Sequence, residues 1–411
     1  MAEIRPATWD DFDEYFTAMG GPFGFTLQPE GTERDELRER VRSYSPFERG
    51  RVAEDAGRIV GTLGVFALDM TVPGGSMQCA GTTWVTVSAT HRRQGLLRAL
   101  MASHLDEARQ NGDPIAALWA SESSIYGRFG FGVAADELTL KIDRNFVAFR
   151  DDAPTPAETR FIDLGEAATV LPAAYETMRR ELPGSFGRTE AWWKNRRLRD
   201  DPDHRDGMSD LRVLVARSPD GDIDGYAMFR IKPNWEGHHA DHTVHVVELL
   251  GTTPASWSGL WHATLGHDLA TTVEAGSRAT DEPLLDMLAA PRRAEQTVSD
   301  NVWVRVLDVE AALTGRTYAG PGTVTFALDD RMGLTGGTWR LETDGESSTC
   351  SPTDADPELA FDVEVLGAAL LGRPRFAALR RAGRVHGDHR AAVATDRLFR
   401  HDRAPACPEV F

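Results

Sequence analysis

The chain has 411 residues, 41% of them hydrophobic, and a formal net charge of −18. That length predicts about two to four domains with proper cores. The acidic balance argues against general binding of nucleic acid or anionic membrane, which needs a basic face, and no run of about eighteen apolar residues exists to span a membrane.

Residues 1–150 read as one α/β unit. The start, Met1-Ala2-Glu3-Ile4-Arg5-Pro6, lacks the basic and apolar stretches of a secretory leader. Trp9 to Phe16 predicts an acidic helix start, Pro22 to Gly31 a loop, and Thr32 to Arg42 a charged, exposed helix. Arg51 to Leu68 predicts a hairpin turning at Asp55 to Gly57, with a second turn over Val72 to Ser76. Gln78 to Val87 leads into a cationic turn, and the helix after it ends near Gln110-Asn111-Gly112. A short strand, Ile115 to Ala120, precedes the Ser121-to-Gly132 segment, and a strand over Glu137 to Ile142 follows.

Asp151 to Pro156, with two prolines, predicts a linker. Residues 157–290 then look like a faded copy of the first unit. Leu211 to Ala216 and Gly225 to Ile231 repeat the hairpin, Thr243 to Leu250 the central strand, and Trp257 to Leu269 the following helix. The turn Gly251 to Ser256 has no arginine, and Pro254 removes an N–H donor, so this copy is expected to have lost its anion site. In residues 291–411, strands are expected at Val302 to Leu307, Val324 to Leu328, Gly337 to Leu341 and Glu358 to Val363. Helices are expected from Asp308, over Val365 to Leu371, and over Ala391 to Phe399. Cys79, Cys350 and Cys407 are odd in number and far apart, which fits neither a disulfide framework nor a zinc site and predicts a reducing cytoplasm.

The stretch Trp84 to Met101 carries the chemistry. A β-branched strand runs into Arg92-Arg93-Gln94-Gly95, then into a segment with Leu96, Leu97, Leu100, Met101 and Leu105 at helical spacing. The first N–H groups of such a helix lack internal partners and sit at the positive end of its dipole. Arg92, Arg93 and Arg98 add full charges, so a pyrophosphate is the natural guest.

This run resembles the acetyl-CoA loop of the GCN5-related N-acetyltransferases, [Arg/Gln]-x-x-Gly-x-[Gly/Ala], in which Arg92 and Gly95 match and Leu97 departs. The tail section resembles a sterol-carrier-like fold. The tandem is similar to the enhanced-intracellular-survival family of multi-domain N-acetyltransferases, whose members commonly read Arg-Arg-x-Gly-Leu-Leu here. The resemblance implies an α/β (α+β) chain: a catalytic acetyltransferase domain at 1–150, a degenerate acetyltransferase-like domain at 157–290, and a sterol-carrier-like domain at 291–411. It implies that Val85, Thr86 and Val87 pair with the pantetheine of acetyl-CoA. Arg93, Gln94, Gly95, Leu96, Leu97 and Arg98 would hold its pyrophosphate, with Ser121 and Glu122 flanking the cofactor. It makes Tyr126 the proton donor and the terminal carboxylate of Phe411 the proton acceptor. The implied substrates are polycationic amines such as aminoglycosides, acetylated in turn in an acidic pocket, by a homo-oligomer, a hexamer in the family. Two rival readings are protein lysine acetylation and a non-catalytic acyl-CoA or lipid-binding module. No metal is expected; the His238-to-His245 run does not match a metal spacing.

Overall fold

The protein is described here from a computed structural model, over residues 2–24, 32–373 and 375–411. It divides into two units: Met1–Ala135, Asp300–Pro405 and Val410–Phe411 form the first, and Asp136–Ser299 and Ala406–Glu409 the second.

The first unit is built on a seven-stranded sheet. Numbered along the chain, its strands are β1 (Glu3–Pro6), β2 (Arg51–Asp55), β3 (Arg58–Val72), β4 (Gly75–Val87), β5 (Ile115–Trp119), β6 (Gly132–Val133) and β16 (Val302–Val306), in the order β1-β2-β3-β4-β5-β16-β6. Only β4 and β5 pair in parallel, across the long helix α3 (Leu96–Gln110). Successive strand residues serve different clusters, as the two-residue period demands. Ala53 packs with Leu100, Met101 and Leu105 of α3. Val52 packs with Phe12, Tyr15 and Phe16 of α1 (Phe12–Phe23) and Val41 of α2 (Thr32–Tyr44). Pro22 and Phe23 thus close a helix rather than open a loop, and left-handed Gly24 ends it; the rest of the expected loop, 25–31, lies outside the described residues. A short helix, α4 (Ser123–Tyr126), follows β5.

A second, five-stranded sheet in this unit has the order β19-β18-β17-β20-β21, from β17 (Gly322–Asp329), β18 (Gly337–Thr343), β19 (Ser348–Pro352), β20 (Leu359–Asp362) and β21 (Val385–Gly387). Helices α9 (Val309–Thr314), α10 (Val363–Ala369), α11 (Phe376–Arg381) and α12 (His389–Phe399) accompany it.

The second unit repeats the plan with β7 (Asp136–Asp143), β8 (Thr159–Ile162), β9 (Arg212–Arg217), β10 (Ile223–Lys232), β13 (His242–Gly251), β14 (Ala270–Arg278) and β15 (Ala294–Asp300), in the order β15-β7-β14-β13-β10-β9-β8. A small ribbon, β11 (Trp235–Glu236) with β12 (His239–Ala240), projects from it. Its helices are α5 (Leu164–Arg179), α6 (Glu190–Trp192), α7 (Pro254–Leu265) and α8 (Leu284–Met287).

Two strands stand away from their expected domains. Glu137 to Ile142, expected to finish the first unit, lies in β7 of the second unit's seven-stranded sheet, between β14 and β15. Val302 to Leu307, expected to open the tail domain, supplies β16 to the first sheet, where every residue of Val302–Val306 is buried between β5 and β6. Both faces of β16 are covered, which is what its Val-Trp-Val-Arg-Val run requires. Its one charge, Arg305, is fully buried and paired with Asp330 at 2.7 Å.

Candidate active site

β3 and β4 pair in register up to Gly64 opposite Thr83, then slip, so that Thr62 faces Thr86. The extra residue puts Trp84 in the left-handed region, with φ 51°, at a cost of about 1–2 kcal/mol for a residue with a side chain. The surroundings hold it there. The Thr62 hydroxyl donates to the Trp84 carbonyl at 2.7 Å. The indole meets Tyr15, Phe16 and Phe66 edge-on, with centroids 6.3, 5.2 and 5.1 Å away. A Cβ on Gly64 would collide with that indole, so glycine is required where the ring crosses β3.

The bulge turns β4 away from β5. Their parallel pairing covers only Cys79–Thr82 against Ile115–Leu118. Thr86 and Val87 therefore keep partners in β3, Val85 lies in the bulge, and none of the three pairs with β5, leaving backbone donors and acceptors for an extended ligand. Beyond them the chain turns through left-handed Arg93 (φ 63°) and Gly95 (φ 82°). Gly95 is the N-cap of α3 and supplies no side-chain cap, so the first N–H groups of this fifteen-residue helix stay open for an anion. The matching place in the second unit is closed. There Pro254 begins α7, and Thr253 and Ser256 form a reciprocal capping box that takes up the helix-start donors.

A cavity of about 990 Å³ lies along the splayed edge. It is lined by Val85, Thr86 and Val87, by Arg93, Gly95, Leu96, Leu97 and Arg98, by Ser121 and Glu122, and by Tyr126. Gln94 and Phe411, also expected at the site, are not among its lining residues. Sequence reasoning assigned no wall position to Arg128, Arg331 or Met332, which line it as well, as do His91 and Arg92. Among the described residues its arginines outnumber the one lining carboxylate, Glu122, so this cavity suits the phosphates of a cofactor and is not the acidic pocket expected for polycationic amines.

Tyr126 ends α4, with its residue only 6% exposed and its ring 6.2 Å from Phe131 in a T-shaped pair. Its hydroxyl has no hydrogen-bond partner among the described residues, although it lines the cavity. Burial, and then the Glu122 charge, push the phenol above its ordinary value, so the O–H stays on as a donor. Glu122 is itself the N-cap of α4 and forms no side-chain cap.

The C-terminal tail is fixed. Ala406 donates its N–H to Pro183 at 2.9 Å, the Cys407 thiol meets the Glu409 carbonyl at 3.1 Å, and the Trp192 indole donates to the Glu409 carboxylate at 3.0 Å. Arg188 holds the other Glu409 oxygen at 2.9 Å and pairs with Glu248, with both Arg188 and Glu248 side chains fully buried. Burial alone would raise the Glu248 carboxyl, but Arg188 and Arg197 overcome it and hold it down at about 2. Val410 is exposed and Phe411 is buried, and both group with the first unit.

A strand that splays from its neighbour, a cationic turn and an uncapped helix start define a GCN5-related acyltransferase arrangement. The comparisons agree. Residues 3–134 and 184–306 each match an acetyltransferase (GNAT) domain, and residues 309–408 match a sterol carrier protein domain. An uncharacterized N-acetyltransferase of Streptomyces coelicolor is 36% identical over all of this chain and 99% of its own. The N-acetyltransferase Eis of Mycobacterium tuberculosis is 31% identical over 92% of this chain and 91% of its own. Among solved structures, Eis1 of Mycobacterium abscessus superposes over both whole chains with a TM-score of 0.83 and 28% identity. A GCN5-related N-acetyltransferase of Anabaena variabilis shares the fold over both whole chains, at a TM-score of 0.84 and 16% identity. This chain belongs to the Eis-type family of multi-domain GCN5-related N-acetyltransferases. It is an N-acetyltransferase, and its fold implies acetyl-CoA as the donor.

Among the described residues no group of three His, Cys, Asp or Glu side chains could hold a metal. In the histidine-rich run, His242 bonds Asn234 and His245 pairs with Glu274 at 3.3 Å.

Proposed function

We propose that this chain moves the acetyl group of acetyl-CoA to amino groups of polycationic small molecules, aminoglycosides among them, at more than one position. The observation that carries the reading is one cavity in which the unpaired edge of Val85–Val87, the open N-terminus of α3 and the partnerless Tyr126 hydroxyl meet. The pantetheine amides extend along the β4 edge, and one N–H there takes the charge that grows on the thioester oxygen. Arg93, Gln94, Gly95, Leu96, Leu97 and Arg98 hold the pyrophosphate, with Ser121 and Glu122 beside the cofactor.

The amine nitrogen attacks the thioester carbon, the C–S bond breaks, and the electron pair leaves on sulfur. Tyr126 hydrogen-bonds that sulfur. A phenol near pKa ~10 protonating a thiolate near ~8.5 runs uphill by about 2 kcal/mol, and burial of Tyr126 adds to the slope. Tyr126 therefore stabilises the thiolate first and gives its proton only as the amine loses one. The terminal carboxylate of Phe411, a buried residue that groups with the first unit, accepts the amine proton. The protein works in the cytoplasm as a hexamer.

A panel assay for released CoA thiol tests the reading, with aminoglycosides, simple polyamines and lysine peptides as acceptors. Turnover with aminoglycosides and product masses showing successive acetylation are expected. Turnover with lysine peptides alone would move the substrate to proteins, and binding of acetyl-CoA with no transfer would leave a binding module.

A further inference from the structure

The cavity has one wall that the acetyltransferase domain does not supply. Arg331 and Met332 reach it from the turn after β17, in the sterol-carrier-like part of the chain. We propose that Arg331 is a phosphate-binding residue of the acetyl-CoA site, so that the sterol-carrier-like domain completes the cofactor pocket. The inference rests on the reading of this cavity as the acetyl-CoA site.

The turn is built to hold one position. The Asp330 carboxylate accepts the N–H groups of Met332, Leu334 and Thr335 at 3.0, 2.8 and 2.9 Å. It also accepts Arg305 of β16 at 2.7 Å, and these two side chains are 1% and 0% exposed. Met332 and Leu334 pack against the hydrophobic cluster that holds Tyr126 and the apolar face of α3. A charge pair buried this deeply fixes geometry more than it adds stability. Here it ties the turn to the central sheet of the catalytic domain.

Arg331 itself is left accessible. Its side chain is 73% exposed, and its ion pair is a loose one, Nε to Asp362 at 3.6 Å. Most of its guanidinium donors remain for a ligand, and the fork suits a phosphate. It shares the cavity wall with Arg92, Arg93 and Arg98. A preordered turn loses little freedom when it binds, so the contact should register in affinity. Acetyl-CoA offers two phosphate positions at its nucleotide end, the pyrophosphate and the ribose 3′-phosphate, and either suits this chemistry.

Calorimetric titration of the full chain with acetyl-CoA and with its analogue lacking the 3′-phosphate tests the assignment. Because Arg331 is exposed, Arg331→Ala is expected to melt as wild type does. It should bind acetyl-CoA roughly tenfold more weakly, as befits one charge-assisted hydrogen bond at a wet site, with kcat at saturation unchanged. If the analogue binds wild type and variant alike, Arg331 holds the 3′-phosphate; if the tenfold loss persists, it holds the pyrophosphate. Wild-type affinity in Arg331→Ala, alongside a clear loss in Arg98→Ala, overturns the inference and leaves the site reading intact. No binding of acetyl-CoA by wild type overturns both.

Discussion

Replacing Tyr126 by phenylalanine isolates one oxygen. The ring is packed beside Phe131, and the hydroxyl has no hydrogen-bond partner among the described residues. Removing it opens no ring-sized hole and strands no buried donor, so stability should shift by under about 0.5 kcal/mol. Tyr126→Ala would instead open a cavity costing about 3–5 kcal/mol and confuse folding with chemistry. A positioned acid contributes roughly 10²–10⁴ in rate, which is about 2.7–5.4 kcal/mol at 1.36 kcal/mol per decade. Thiol release at saturating acetyl-CoA and amine should therefore fall by that factor in Tyr126→Phe, with the affinity for acetyl-CoA nearly unchanged. The pH profile is a second check. Burial and Glu122 raise the phenol, so the wild-type rate should not fall through loss of this proton as pH climbs to about 10, the ordinary value for tyrosine. A kcat within threefold of wild type would remove Tyr126 from the proton path.

Gly64→Ala is expected to push the Trp84 indole off β3 and close the splay, weakening acetyl-CoA binding at least tenfold by titration; unchanged affinity would separate the bulge from the site. Glu248, held at about 2 against an ordinary 4.5, lends stability that is fully present above about pH 4.5 and is lost as pH falls toward 2. Urea midpoints measured across that window should drop in wild type and stay flatter in Glu248→Gln, which is itself destabilised at pH 7 because Arg188 and Arg197 lose a partner. A short peptide appended after Phe411 displaces the terminal carboxylate; turnover should fall at least tenfold and return when a protease removes the tag. Full activity in the tagged enzyme would acquit Phe411.

The hairpin at Asp55 to Gly57, the cationic turn and the amphipathic face of α3 could be read locally, because each depends on residues within one or two turns of chain. The splay could not. It arises from a one-residue slip held by Tyr15, Phe16 and Phe66, which meet Trp84 only in the fold. The placing of β7 was hidden for a similar reason. Leu138, Leu140 and Ile142 alternate with polar residues and would suit an edge of either sheet. The Val-Trp-Val-Arg-Val run of β16, apolar everywhere but Arg305, did carry a signal of burial on both faces, though nothing in it names the sheet. Arg331 lines the cavity from a turn whose Asp330 pairs with Arg305 of β16, a link between residues distant in any local pattern.

A crystal structure of the chain grown with CoA addresses the central claim most directly. The pantetheine should lie along Val85–Val87, and the pyrophosphate should accept N–H groups at the start of α3, with the sulfur within hydrogen-bond reach of the Tyr126 hydroxyl. CoA seated at the start of α7 in the second unit, or an empty α3 cavity at saturating cofactor, would contradict it.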